Sequence, residues 1–163
     1  MRAYRDILRK LALPKDIQPC SEAAQSFILD TLLQHVEVEI APEELSSEVA
    51  RLQAYYNHQL QFELLQNGDF SVFLPQNQEK RQQQIRQEAE RELKTEVLLR
   101  FIAENEHITA TPEDRESEAQ RIAAENNIPL ENVRDFMGQS FEMLQEDLLI
   151  QKTLQWLCSY VQP

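Results

Sequence analysis

Apolar residues recur every four positions at Ile85, Ala89, Leu93, Val97 and Phe101, and Leu98 and Ile102 widen the stripe, which is the spacing of one helix face. The run from Gln76 to Gln84 just ahead holds no apolar residue, yet it also lacks the Gly, Pro and Ser of a flexible linker. This pattern predicts one long helix from about Gln76 to Ala103, anchored at its apolar C-terminal half and projecting at its polar start. A second stripe, Leu45, Val49, Leu52, Tyr56 and Leu60, predicts a partner helix from Pro42 to Gln66. Pro42 suits its first turn, and Glu43 and Glu44 complement its dipole. Gln66-Asn67-Gly68-Asp69 breaks the pattern between them, so the two form a helical hairpin, each leg reaching roughly 35–40 Å at 1.5 Å per residue. The loop at its tip carries Phe70 and Phe73, where loops are usually polar.

Shorter helices flank the hairpin. Tyr4, Ile7, Leu8 and Leu11 share a face up to Leu13, and Pro14 stops that helix. Ser21 and Glu22 open a second, whose core face is Ala24, Phe27, Ile28, Thr31, Leu32 and Val36. Val36 to Ile40 then alternates apolar and acidic residues, as a short half-exposed extended segment does. After the hairpin, Thr111 as N-cap, Pro112 at the first position and Asp114 at the third start another helix, with Ala119, Ile122 and Ala123 on its face. Leu130, Val133, Phe136 and Met137 make a short helix that Gly138 interrupts. A long last helix is expected from Phe141 to Tyr160, its end buried against the second helix.

Composition agrees with this reading. Only two glycines occur among 163 residues, so regular β-turn chemistry has little to build with, and the chain is expected to be all-α and one domain. A formal net charge of −12 argues against nucleic acid and against an anionic membrane surface. Cys20 and Cys158 belong to no Cys or His cluster, so no metal site is expected, and two lone thiols fit a reducing cytosol. With no secretory signal or membrane span in the residues, the chain reads as cytoplasmic.

Catalysis finds no support in the residue types. His35, His58 and His107 lie far apart, none with a carboxylate or cysteine at ligand spacing. Gly68 and Gly138 cannot make a phosphate loop, and no serine stands in a nucleophile-elbow context. No catalytic residue, metal or cofactor is expected.

Two segments carry a family resemblance. Glu88 to Asp114, EAERELKTEVLLRFIAENEHITATPED, resembles the C-terminal domain of bacterial trigger factor, where a charged helix leads into an apolar segment and then a helix opening on acidic residues. Ala23 to Glu44, AAQSFILDTLLQHVEVEIAPEE, and Leu130 to Val161 are similar to the same domain's other helices. The resemblance covers nearly the whole chain from Tyr4. It implies an elongated multi-helix domain of the trigger factor C-terminal, SurA-like kind. A body of residues 1–41 plus the end of the last helix would carry one arm at 42–103 and a second at 111–163. The family's ribosome-docking and FKBP-type prolyl isomerase domains have no counterpart in these residues.

The resemblance also implies an ATP-independent chaperone module whose helical cradle binds unfolded or nascent polypeptide. Such binding needs apolar side chains exposed among charges. The candidates are Tyr55, Tyr56, Leu60, Phe62, Leu64, Leu65, Phe70, Phe73 and Leu74 around the hairpin, and Phe136, Met137, Phe141 and Met143 toward the end. A reading from another class is a structural module that docks a folded partner, or a second copy of itself, through the same apolar tip.

Overall fold

The structure is a computed structural model that describes residues 4–67 and 75–161, with the side chains of 62–67 and 75–77 outside that description. The described residues form seven helices and no strand: α1 (Tyr4–Lys10), α2 (Glu22–His35), α3 (Pro42–Asn67), α4 (Pro75–Asn105), α5 (Pro112–Asn126), α6 (Leu130–Met137) and α7 (Leu144–Tyr160). The all-α expectation holds. The chain divides into two compact units, residues 1–37 with 98–163, and residues 38–97, and the division falls within α4.

Within the first unit α2 packs on α1 and α7, and α5 on α6 and α7. Leu8, Ile28, Leu32, Leu98, Ile102 and Leu157 are almost wholly buried. A second cluster gathers Ala110, Ala119, Ala123, Val133, Phe141, Leu144 and Leu148. Ala119 and Ala123 of α5 lie in this cluster, where a methyl group lets neighbouring helices pack closely. Thr153, a buried polar residue, donates its hydroxyl to the Leu149 carbonyl at 2.7 Å, so nothing polar is left orphaned at that point.

The caps follow the chemistry of the residues. Ser21 accepts from the Ala24 amide at 3.2 Å. Thr111 Oγ1 accepts from the Asp114 amide at 3.2 Å while Asp114 Oδ2 accepts from the Thr111 amide at 2.7 Å, a reciprocal capping box. Lys152 on α7 donates to the same Asp114 carboxylate and, at 3.1 Å, to the Thr109 carbonyl. Together these contacts hold the Asp114 carboxyl down at about 2, the Lys152 ammonium being the main cause. α4 and α5 each end on a left-handed residue, His107 (φ 56°) and Asn127 (φ 52°), with the next amide bonding back to the Ala103 and Ala123 carbonyls.

Two boundaries differ from the sequence reading. α1 ends at Lys10, three residues before Leu13. α7 starts at Leu144 because Gly138 (φ 94°) and Phe141 (φ 55°) both take positive φ, which folds residues 138–143 into a turn. The Phe141 amide donates to the Gly138 carbonyl at 3.0 Å and the Met143 amide to the Met137 carbonyl at 3.2 Å.

The second unit is an antiparallel helix pair. Leu52 of α3 and Ile85 and Ala89 of α4 form its buried seam, flanked by Leu45, Val49 and Tyr56. Long polar side chains bridge the pair above that seam. Tyr56 Oη donates to Glu88 at 2.7 Å, and Arg51 spans from Glu48 on its own helix to Glu92 on α4 at 3.2 Å. Val36 to Ile40 alternates as expected, with Val36 and Val38 buried and Glu37 and Glu39 exposed.

Candidate functional site

Among the described residues a few large apolar side chains are exposed. Among the described residues Phe136 is 73% exposed, Met143 60%, Tyr55 54% and Ile128 40%. Three of these were expected, and Ile128 was not. Asn127 in its left-handed cap turns the chain outward there, a consequence of backbone conformation that apolar periodicity does not report.

In the first unit the turn between α6 and α7 sets Met143 beside the end of α6, through the bond from its amide to the Met137 carbonyl. Phe136 lies on the outer face of α6, while Val133 on the inner face is buried. Met137 is half-buried against the Ala119 and Val133 cluster. Phe141 corrects the expectation for its position: at 2% exposure it is core, and its ring carries the Arg134 guanidinium 5.2 Å from its centroid. Its left-handed backbone sends the side chain inward where a continued helix would have carried it around the surface. Acidic and basic groups surround the corner, with Arg134 reaching toward Glu116 of α5 at 3.8 Å.

In the second unit Tyr55 packs edge-on against Tyr56, ring centroids 5.5 Å apart, and its hydroxyl accepts from Gln59 at 2.7 Å. Tyr56 and Leu60 are half-buried. The side chains of Phe62, Leu64 and Leu65, and the whole of Phe70, Phe73 and Leu74, lie outside the described residues. A groove of about 380 Å³ runs between α3 and α4, lined by Val49, Gln53, Glu79, Gln82, Gln83, Ile85 and Arg86. Its walls mix the amides of Gln53, Gln82 and Gln83 with the apolar Val49 and Ile85 and the charged Glu79 and Arg86.

His35 Nδ1 donates to the Thr31 carbonyl at 2.8 Å, one helical turn back, and lines a surface recess with Asp6, Ile7 and Lys10. Among the described residues no group of three or more His, Cys, Asp or Glu side chains is placed to hold a metal ion. Among the same residues no helix is long and apolar enough to cross a membrane.

Comparison with known proteins agrees with this architecture. The chain is similar to the trigger factor of Lysinibacillus sphaericus (strain C3-41), 26% identical over 157 residues, which are 96% of this chain and 36% of the relative. It is also similar to the trigger factor of Carboxydothermus hydrogenoformans, 24% identical over 152 residues, 93% of this chain and 35% of the relative. The chain therefore spans about a third of the length of the curated relatives it matches. A solved chain described as "Structures of and interactions between domains of trigger factor from Themotoga maritim" shares the fold, with a TM-score of 0.71 at 20% identity, covering 96% of this chain and 94% of that one. The profile described as bacterial trigger factor protein (TF) C-terminus matches residues 6–159, so the chain belongs to that family.

Proposed function

We propose that this chain is an ATP-independent chaperone module that binds unfolded or nascent polypeptide through apolar side chains set among charges. The family match over residues 6–159 carries the reading. The exposed Phe136, Met143 and Tyr55 support it, because large apolar side chains left in water in a chain of net charge −12 offer non-directional contact while repulsion keeps copies apart. In this reading the α3–α4 hairpin is one arm and the segment from Thr111 onward a second, working in the cytoplasm, and the chain itself carries out no catalysis.

Clients bound this way are held weakly. Burial of a few hundred Å² at about 25 cal/mol per Å² contributes several kcal/mol before ordering costs, so exchange is fast and sequence preference low. The test is aggregation of a chemically denatured protein on dilution. At a stoichiometric ratio the chain should suppress light scattering, and the double variant F136S/M143S should need several-fold more protein for the same effect. No suppression at any ratio by the unaltered chain would sink the proposal. Sedimentation showing a tight dimer that buries Phe136 and Met143 would instead make them a self-association surface.

A further inference from the structure

The polar run that opens α4 belongs neither to the buried seam of the hairpin nor to the exposed apolar side chains. It lines a groove. The recess of about 380 Å³ between α3 and α4 adjoins a second of about 200 Å³, and the two share Gln53, Gln82 and Ile85. Buried Ile85 and half-buried Val49 give this groove an apolar floor, and Gln53, Asn57, Gln78, Gln82 and Gln83 bring side-chain amides to its walls. From Val49 to Asn57 along α3 is about 12 Å at a helical rise of ~1.5 Å per residue, the length of roughly four residues of extended chain. An extended chain presents N–H and C=O groups that no helix or sheet satisfies, and an amide side chain can donate to one and accept from the other. Walls of this kind meet any sequence. Charge adds a preference, because between Gln76 and Gln87 the cations Lys80, Arg81 and Arg86 outnumber the single anion Glu79, although the whole chain carries a formal net charge of −12. The Arg86 charge is shared with Glu90, one turn further along α4. Arg81 differs, since its Nη1 is shielded from solvent and has no hydrogen-bond partner. A guanidinium donor is costly to leave unmet, and a turn of the side chain into the second recess, which Arg81 lines, lets a carboxylate oxygen meet it.

We propose that the groove between α3 and α4 binds a short extended polypeptide segment bearing a carboxylate, with the amides holding its main chain and Arg81 its acidic side chain. The site rests on the chaperone reading, as a second contact made to the same unfolded clients. It takes the polar, acidic stretches that exposed Phe and Met side chains cannot hold. Each amide contact replaces one to water, so the segment is held weakly and released fast.

The test is an NMR titration of the isotope-labelled full chain with an unstructured peptide of Gly, Ser and Asp residues, and with its counterpart carrying Asn for Asp. Neither peptide has an apolar side chain for Phe136 or Met143 to bury. Side-chain amide signals of Gln53, Gln82 and Gln83 should shift while signals of α6 stay in place, and the Asp peptide should bind roughly three- to tenfold more tightly than the Asn one. R81Q should bring the two peptides to equal affinity. Q53A/Q82A, at exposed positions that the fold does not depend on, should weaken both. Shifts spread over the surface without a focus on the groove would overturn the proposal, and so would equal affinity for the two peptides or a preference that survives in R81Q. Suppression of aggregation, measured on the same samples, reads the apolar contacts separately: its absence with peptide binding intact sinks the chaperone reading, whereas its presence without peptide binding overturns the groove alone.

Discussion

The two units hold their helices together in different ways. The first buries Leu, Ile and Ala side chains from α1, α2, the end of α4 and α5 to α7, and closes its helix ends with a capping box and left-handed caps. The second, among its described residues, rests on a narrow seam of Leu52, Ile85 and Ala89, with Tyr56–Glu88 and Arg51–Glu92 bridging the two helices in near-solvent conditions. Exposed pairs of that kind are screened by solvent and contribute little. A helix pair with few buried contacts opens locally more easily than a multi-helix core, so the difference should be measurable as hydrogen exchange. Where the described apolar residues of a helix number only one or two per turn on one face, its polar surface stays in water.

The largest expected effect tests the first unit. Leu32→Ala, at a wholly buried position, should cost about 3–5 kcal/mol by leaving a cavity among helices that cannot collapse into it, and denaturant melts should show the loss as a lower midpoint. Leu52→Ala should cost less, about 2–3 kcal/mol, because the seam is thin and partly open. The two should also differ in extent. Leu52→Ala is expected to raise amide exchange across α3 and the first two-thirds of α4 while amides of α2 and α7 keep their protection. If α2 and α7 lose protection equally, the two units unfold as one and the contrast is wrong.

Gly138→Ala sharpens the turn that overturned the expectation for Phe141. A Cβ there would meet only the movable end of the Glu142 side chain, but the backbone conformation, φ 94° and ψ 159°, is one that side-chain-bearing residues rarely adopt. A cost of about 1–3 kcal/mol is expected, larger than that of Thr111→Ala, about 1 kcal/mol for a lost cap. Thermal melts of the two single variants rank them. If Gly138→Ala is the milder, the turn relaxes and does not dictate the burial of Phe141.

What could be read in the residues was whatever a period or a cap encodes. Ser21, Pro42 and Thr111-Pro112-Glu113-Asp114 announced helix starts through their own hydrogen-bonding chemistry, and the Ile85 and Leu45 stripes announced two helices that pack face to face. The hairpin was legible because its seam repeats regularly. Phe141 and Ile128 were not, since each follows a left-handed residue or occupies one, and a change in backbone sign leaves the apolar pattern untouched. Of the candidate contact residues, Tyr55, Phe136 and Met143 are exposed, yet periodicity only showed that their faces were apolar and could not say what would cover them.

Acid is expected to separate the two units most finely. In the first, Asp114 is held at about 2 against an ordinary 3.8, chiefly by Lys152, and Glu106 is held below its ordinary value by the Arg5 guanidinium, which donates to it at 2.7 and 2.9 Å. Carboxyls with lowered folded values stabilise fully above their unfolded values and lose that contribution as pH falls through the folded ones, so the capping box and the α1 contact should weaken below about pH 4. In the second unit the shifts oppose one another. Glu48 is lowered by Arg51, whereas Glu92 is raised by partial burial and by the Glu48 carboxyl beside it. A raised carboxyl favours the folded state when protonated, so as pH drops Glu92 offsets part of what Glu48, and Glu90 beside Lys94, lose. Between pH 5 and 3, hydrogen exchange at the start of α5, divided by the intrinsic rate at each pH, should therefore accelerate relative to neutral pH more than exchange in α3 near Leu52. The variant D114N should abolish that acceleration at α5 while leaving α3 unchanged, and an equal response of both regions would show that general acid unfolding, and not these carboxyls, sets the pH dependence.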